Sequence, residues 1–279
     1  MNSLQLIGNL FQAFNKKFSA AFYKTKPSQI SWIQAKYHKH LDDVTAKTIK
    51  IDDVTITYEH RHSLFHTYEE IFVREIYRFR PLTSHPLIID CGANIGLSIL
   101  YFKKIFPGAR IIGFEPDPHN FELLQKNLLQ NPELNTHINL VRKALWINNN
   151  GVSFEAEGTE GSKINEQESS GRTRVETQDL KELLAGFDSI DFLKVDIEGA
   201  ENKVIPDAAA QLYKVKNLFL EYHGKTQELE QLNRLLRIIG DLGFSVYMTT
   251  AADAMAQPFV QKNTSNNFDV QLNIYCFRP

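Results

Sequence analysis

The pattern of apolar and polar residues changes at Leu87, and this change constrains the fold of the chain more than any other feature. The run Leu87-Ile88-Ile89-Asp90-Cys91 is almost wholly apolar and ends at Gly92, as expected for a strand that is buried on both faces. From there to the C-terminus, strand-like runs alternate with helical patterns. Parallel strands need long crossover connections, which usually contain a helix. The sequence therefore predicts an α/β fold with a doubly wound, mostly parallel sheet and an antiparallel C-terminal strand.

The first 80 residues follow a different pattern and predict a helical and hairpin extension, with residues 81–279 as the main domain. Residues 48–58 alternate like a hairpin, and residues 66–79 predict a helix that ends before Pro81. Residues 1 to about 45 predict two helices, and the first has an amphipathic stripe of Leu4, Ile7, Phe11, Phe14, Phe18 and Phe22. Packing within the chain or in a homodimer is the favoured role of this stripe, and contact with a membrane surface is the alternative.

Composition and charge exclude several classes of protein. The 279 residues carry a formal net charge of −2, without the clustered basic face of nucleic-acid-binding proteins. No apolar stretch reaches the roughly 20 residues of a transmembrane helix, and the N-terminus does not read as a signal peptide. Cys91 and Cys276 lie far apart in apolar runs, which indicates buried free thiols in a reducing compartment. We therefore expect a cytoplasmic protein with no transmembrane segment and no nucleic-acid partner.

The turn after the Leu87 strand has the character of an adenosine site. It reads Asp90-Cys91-Gly92-Ala93-Asn94-Ile95-Gly96 and lies at a strand-to-helix junction, where glycines allow close approach and the helix start offers free amide donors. About twenty residues later Glu115 closes the next strand, where a carboxylate can accept both ribose hydroxyl protons. The residues of this predicted nucleoside pocket are Asp90, Gly92, Asn94, Gly96, Glu115 and Pro116.

The same turn departs from the dinucleotide and phosphate-binding motifs. Asn94 stands where the dinucleotide fingerprint has its second glycine, and Leu97 stands where it has its third. A phosphate-cradling loop with Lys followed by Ser or Thr is also missing. An adenosine ligand without phosphate fits better, and S-adenosylmethionine is such a ligand, with Asp90 placed to bind or orient its methionine ammonium. An enzyme that uses NAD or a nucleotide sugar remains the alternative on this fold.

Several blocks between residues 87 and about 225 occur in the order seen in one known family. They are residues 89–96, 114–116, 143–145, 191–201 and 221–223, and the most specific is Lys-Val-Asp-Ile-Glu-Gly-Ala-Glu at 194–201. With these blocks the chain resembles the FkbM family of methyltransferases. The resemblance implies a class I, Rossmann-like methyltransferase fold and mostly O-methylation of hydroxyls on sugars, glycolipids or polyketides. The segments outside the blocks usually decide the substrate, so the identity of the acceptor does not carry over.

Polar side chains at the ends of two later strands are expected to meet beside the cofactor. Asp196 follows the fourth strand of the domain, while Glu221 and His223 end the fifth, and ligands bind outside the carboxyl ends of such strands. Methyl transfer is an in-line displacement that is helped by alignment and by removal of the acceptor's proton. We predict His223 as the base, with Asp196 holding the acceptor hydroxyl or orienting the histidine. A divalent cation on these three residues that acidifies the hydroxyl is an alternative, not the main prediction.

Neighbouring positions give further expectations. Ala144 and Leu145 are expected to end the third strand and to contact the adenine ring. Glu198 and Glu201 flank the next helix start, where they either stabilise the helix or belong to the site. Residues 146–177 predict a hairpin excursion at the sheet edge.

The chain could also be a non-catalytic interaction module that has kept the fold. A retired site has no reason to keep all of its polar groups, and this chain has kept Asp90, Glu115, Asp196 and His223. The sequence therefore favours an enzyme acting on a small-molecule or glycan acceptor.

Overall fold

A computed structural model describes residues 45–155, 163–165, 173–252, 257–260 and 268–278. The amphipathic stripe predicted between residues 4 and 22, with its homodimer and membrane alternatives, lies outside the described residues. Within the described ranges, no helix is both long enough and apolar enough to cross a membrane.

Strands and helices alternate from residue 87 onward, as the sequence predicts. The strands are β1 (Lys47–Ile51), β2 (Val54–Tyr58), β3 (Leu87–Cys91), β4 (Arg110–Phe114), β5 (Ile138–Val141), β6 (Ala144–Trp146), β7 (Val152–Glu155), β8 (Lys163–Asn165), β9 (Thr173–Val175), β10 (Thr177–Asp179), β11 (Ile190–Val195), β12 (Val215–Gly224), β13 (Ser245–Thr250) and β14 (Val270–Phe277). The helices are α1 (Arg61–Tyr68), α2 (Leu97–Ile105), α3 (Pro118–Leu129), α4 (Leu180–Ala185), α5 (Glu201–Ala208) and α6 (Leu229–Asp241). A π-helical segment (Glu69–Val73) continues α1, and short 3₁₀ helices span Ala209–Lys214 and Thr226–Glu228.

A seven-stranded sheet forms the centre of the molecule in the order β13-β14-β12-β11-β3-β4-β5. The five strands from β12 to β5 are parallel, and β14 runs antiparallel to both of its neighbours. The predicted doubly wound, Rossmann-like sheet with an antiparallel C-terminal strand is therefore confirmed. The chain leaves β3 towards β4 and later returns to β11 on its other side, so the strand order reverses between β3 and β11. Ligands of open α/β sheets bind in the crevice at such a point.

Alternate residues of the central strands enter two different apolar clusters, because successive side chains of a strand point to opposite faces. Ile89 and Leu193 belong to the cluster that includes α4, α5 and α6. Ile88 and Phe192 belong to the other cluster, which includes α2, α3 and the hairpin of β1 and β2. The N-terminal extension, so far as it is described, is therefore packed onto one face of the sheet domain.

Two asparagine side chains of α3 and the turn after it pair with the edge of β2 as a neighbouring strand would. Asn127 accepts from Thr57 N at 2.6 Å and donates to Thr57 O at 3.0 Å. Asn131 makes the same two bonds with Thr55, at 2.9 and 2.7 Å. These bonds satisfy backbone groups that a strand edge would otherwise leave unpaired.

The helix predicted for residues 66–79 is wrong in its bounds. The α-helix begins at Arg61 and ends at Tyr68, and the π-helical segment stops before Arg74. The apolar residues beyond it, which gave the helical spacing, pack instead from an irregular segment: the rings of Tyr77 and Phe79 contact Phe102. The π-helical segment carries Glu70, whose charge acts on Glu221 at the end of β12.

The segment after β5 also differs from the prediction. Ala144 and Leu145 do not end the third strand of the domain, which stops at Val141; they form β6, a separate strand paired with β10. The reason is a break at residues 142–143, after which β6 takes β10 as its partner instead of β4. The predicted hairpin excursion contains a small antiparallel sheet of β7, β8 and β9 within the described residues.

Candidate active site

The turn between β3 and α2 is built on left-handed backbone at Gly92, Asn94 and Gly96, with φ values of 90°, 48° and 91°. A Cβ on Gly92 would lie 1.9 Å from the carbonyl oxygen of Asp196, and one on Gly96 would lie 3.2 Å from Leu124 Cγ. The sequence predicted these glycines for their approach to a ligand. Their first role in the structure is to let the ends of β3 and β11, and the start of α2, pack closely around the site.

Glu115 lies against this turn, as the adenosine interpretation requires. Its Oε2 accepts from Asn94 N at 2.8 Å, and its Oε1 accepts from Asp117 N at 3.0 Å. Burial raises the pKa of Glu115 to about 7, against the opposing effect of the two backbone donors. Pro116, the next residue, is half-buried. The carboxylate thus sits between the turn and the start of α3.

Asp90 is completely buried and has no solvent-exposed surface. Its Oδ2 accepts from Ser98 Oγ at 2.5 Å, and its Oδ1 lies 3.4 Å from Lys194 Nζ. Burial raises the pKa of Asp90, and the neighbouring ammonium opposes this. Asp90 therefore reaches the site through Lys194 and Ser98, which makes an orienting role more direct than ligand contact.

Lys194 joins the turn to the end of β11. Its Nζ donates to Gly92 O at 2.7 Å and to Asp196 Oδ2 at 3.1 Å, and only 3% of its side chain is exposed. Burial by itself lowers the pKa of Lys194, but the carboxylates of Asp196 and Asp90 outweigh it and hold the pKa well above its usual range. The side chain is therefore a buried, fully charged link between the two halves of the site.

The structure brings Asp196, Glu221 and His223 together, as their positions at two strand ends indicate. Val195 pairs with Leu220 across adjacent parallel strands, so the residues that follow each of them lie side by side. One nitrogen or oxygen atom from each of the three side chains lies within 4.8 Å of the others. These residues could hold a divalent metal ion.

His223 is almost fully buried among acidic side chains. Its Nδ1 lies 3.5 Å from Glu201 Oε1, and its Nε2 lies 3.6 Å from Glu221 Oε1 and 3.7 Å from Glu198 Oε2. Burial lowers the pKa of His223, but the carboxylates, Glu201 first among them, outweigh this and raise it to about 10. In the absence of another cation the ring is thus protonated at neutral pH, which favours an orienting role over that of a free base.

The glutamates around the histidine hold protons as well. Burial raises the pKa of Glu198 to about 9 and that of Glu221 to about 8, and repulsion from Asp196 adds to both shifts. Glu201 faces the histidine from the first turn of α5 and so belongs to the site as well as to the helix start.

Ala144 and Leu145 are core residues on β6, with the side chains buried in the cluster that contains Val195. Their predicted contact with an adenine ring stays a prediction.

Comparison with known proteins decides the family. The methyltransferase FkbM domain matches residues 90–246, more than half of the chain, and the match includes Glu115, Asp196 and His223. The chain belongs to the FkbM methyltransferase family. Methyltransferase sdnD of Sordaria araneosa is 30% identical over 213 residues, which are 64% of this chain and 81% of that protein. The 2-O-methyltransferase NoeI of Sinorhizobium fredii is 29% identical over 178 residues, 56% of this chain and 70% of that protein.

Among solved structures, the methyltransferase FkbM from Methylobacillus flagellatus superimposes with a TM-score of 0.48 and 19% identity. The match covers 71% of this chain and 45% of that chain, so this chain spans less than half of that protein's length. Membership of the FkbM family confirms the resemblance predicted from the sequence blocks. It also sets aside the NAD and nucleotide-sugar alternative.

Two residues of the FkbM domain were not singled out for these roles by the sequence. Lys194 was quoted only within the 194–201 block, although a lysine at the centre of an apolar strand signals a buried ion pair. Glu201 was left between two roles, and its contact with His223 could not be read from a sequence separation of 22 residues.

Proposed function

We propose that this chain is an S-adenosylmethionine-dependent O-methyltransferase that acts on a hydroxyl of a sugar, glycolipid or polyketide-like acceptor. The observation that carries the proposal is the position of Glu115, whose carboxylate oxygen accepts from Asn94 N of the glycine turn at 2.8 Å. A carboxylate in that place, beside a turn without phosphate-binding character, suits the ribose hydroxyls of an adenosine.

In this proposal the ribose hydroxyls donate to Glu115, and the turn of Gly92, Asn94 and Gly96 supports the rest of the cofactor. Asp90 acts through Lys194, which holds the Gly92 carbonyl. Pro116, Ala144 and Leu145 line the adenine side. Bound S-adenosylmethionine supplies a methyl group on a positively charged sulfur, and the carboxylate of Asp196 suits that charge.

The acceptor hydroxyl is held at the cluster of Asp196, Glu221 and His223. Asp196 and His223 orient it, and its proton passes to the Asp196 carboxylate as the oxygen bonds to the methyl carbon and the carbon–sulfur bond breaks. Holding the two reactants in line supplies much of the rate gain in such a displacement. The name of the relative NoeI, a 2-O-methyltransferase, supports oxygen as the accepting atom.

Two measurements test the proposal in sequence. Calorimetry with S-adenosylhomocysteine, the demethylated product, should give saturable binding, and NAD should give none. Incubation with isotopically labelled S-adenosylmethionine and a panel of glycosides, glycolipids and polyketide alcohols should then yield a product with the label on oxygen. Absence of S-adenosylhomocysteine binding, or label found only on nitrogen or carbon, would overturn it.

A further inference from the structure

A buried histidine faces carboxylates without bonding to them. His223 is 4% exposed, and the distances from its Nε2 to Glu221 and Glu198, 3.6 and 3.7 Å, are too long for hydrogen bonds. Its Nδ1 is without a hydrogen-bond partner in the described part of the chain. Polar atoms that are buried this deeply are normally satisfied. The arrangement therefore has room for an atom between the ring and the carboxylates.

The spacing of the donor atoms suits a metal ion. The ligand atoms of Asp196, Glu221 and His223 lie within 4.8 Å of one another, so small side-chain rotations bring them to the separation of about 3–4 Å for ligands that share one ion at bonds of about 2.1 Å. Lys194 donates to Oδ2 of Asp196. The other oxygen of that carboxylate is then the natural ligand atom.

The histidine also has the supporting carboxylate that metal ligands usually have. Glu201 Oε1 lies 3.5 Å from His223 Nδ1 and is fixed by Ile197 N at 3.1 Å and Gly199 N at 3.2 Å. A metal-bound histidine commonly directs its second ring nitrogen at a carboxylate, which fixes the ring orientation. Glu201 faces Nδ1, so a small ring movement that closes this gap would keep Nε2 on the side of Glu221 and Glu198.

A second buried atom without a partner lies beside the same cluster. Asn273 on β14 is directly opposite Glu221 on β12, is 3% exposed, and its Oδ1 has no hydrogen-bond partner among the described residues. Opposite residues of an antiparallel pair project from the same face, with Cβ atoms about 4.5–5.5 Å apart. An amide oxygen, which is a good ligand for hard cations, therefore lies next to Glu221.

We propose that Asp196, Glu221 and His223 bind one divalent cation, with Asn273 beside them as a further oxygen donor. Two carboxylates, one imidazole and an amide oxygen favour an ion of the Mn²⁺ and Mg²⁺ class.

The chemical role of the ion rests on the proposed function, whereas its binding does not. Three protein ligands leave coordination positions open, and an acceptor hydroxyl bound in one of them becomes more acidic. The O–H bond then breaks with its proton passing to solvent water, the oxygen bonds to the methyl carbon, and the carbon–sulfur electron pair stays on sulfur.

Titration of the metal-stripped full chain with Mn²⁺ alone, followed by the electron paramagnetic resonance of free Mn²⁺, tests the site. One Mn²⁺ should bind per chain. Glu201→Gln should weaken this binding about 10–100-fold, as loss of a supporting carboxylate does, and Glu221→Gln should weaken it more. The exposed Glu230→Gln on α6 is the matched control and should bind as the wild type does.

A spectroscopic measurement on the wild-type protein tests the site even if some of the variants fold poorly. Electron spin echo of the Mn²⁺ complex should show modulation from a coordinated imidazole nitrogen, and His223→Gln should lose it. Lack of saturable binding, absence of the nitrogen signal, or unchanged affinity in Glu221→Gln overturns the proposal.

Binding of S-adenosylhomocysteine to the same samples separates the two proposals. If S-adenosylhomocysteine binds while Mn²⁺ does not, the metal-site proposal is wrong and the proposed function is retained. If Mn²⁺ binds at His223 while S-adenosylhomocysteine does not, the metal site stands and the proposed function falls.

Discussion

The backbone of Gly92 lies so close to Asp196 that a methyl group on its α-carbon would be 1.9 Å from the Asp196 carbonyl oxygen. This contact joins the end of β3 to the end of β11, at the point where the strand order of the sheet reverses. The same two residues are joined a second time through Lys194, which donates to both. The turn between β3 and α2 and the cluster of Asp196, Glu221 and His223 are thus held together by direct contacts.

Gly92→Ala should therefore destabilise the fold and abolish S-adenosylhomocysteine binding. We expect a loss of at least about 2 kcal/mol in the free energy of unfolding, because left-handed backbone alone costs an alanine about 1–2 kcal/mol and the clash adds to it. Urea denaturation measures this. Gly240→Ala on α6 is the control: its Cβ would meet nothing within 4 Å, and the change should stabilise by about 0.5–1 kcal/mol. Equal stability of the two variants would contradict the close contact.

Glu115→Ala should weaken S-adenosylhomocysteine binding by about 1–3 kcal/mol, the usual cost of losing hydrogen bonds to a charged group. The exposed Glu122→Ala on α3 removes the same kind of side chain outside the pocket and should leave the affinity unchanged. Calorimetry compares the two directly. A similar affinity in both variants would remove Glu115 from the ribose site.

The affinity for S-adenosylhomocysteine should increase between pH 6 and pH 8. Burial raises the pKa of Glu115 to about 7, so the carboxyl is mostly protonated at the lower pH and mostly ionised at the higher one. If only the ionised form accepts both ribose hydroxyls, the dissociation constant should be about tenfold larger at pH 6. Glu115→Gln cannot titrate and should flatten the profile. A wild-type profile with the opposite slope would show that the protonated form binds.

Lys194→Met should cost about 3–5 kcal/mol in the free energy of unfolding, since it leaves the fully buried Asp90 without its ammonium partner. The double variant Asp90→Asn/Lys194→Met removes both charges and should recover part of this loss. Thermal and urea unfolding of the single and double variants measure the coupling. A double variant that is less stable than Lys194→Met would show that the pair does not compensate its own burial.

Local patterns in the sequence were sufficient to predict where the first central strand begins and ends. Leu87–Cys91 was predicted with the bounds that are observed, because a continuous apolar run that ends at a glycine leaves little choice of where the strand lies. The same reasoning misplaced the helix before them. Ile76 and Phe79 have helical spacing, but the rings that Phe79 packs against lie on α2 and β11, and a periodicity cannot reveal which partner a side chain will meet.

Only those parts of the site that lie at the ends of adjacent strands could be predicted from the sequence. The meeting of Asp196 with Glu221 follows from the parallel pairing of β11 and β12. The burial of Asp90 beside Lys194 does not, because the two residues are 104 positions apart in the sequence and their contact depends on β3 and β11 being neighbours in the sheet. Such long-range charge pairs are set by topology, which no local pattern encodes.

The side chain of Asn127 forms hydrogen bonds to a second segment as well as to the edge of β2. Its Nδ2 donates at 3.0 Å to Thr57 O in the extension and at 2.8 Å to Ile95 O in the turn between β3 and α2. One amide group therefore couples the N-terminal extension to the turn that we propose for the cofactor. An exchange of the extension that removes the edge of β2 from Asn127 would therefore also disturb the turn between β3 and α2.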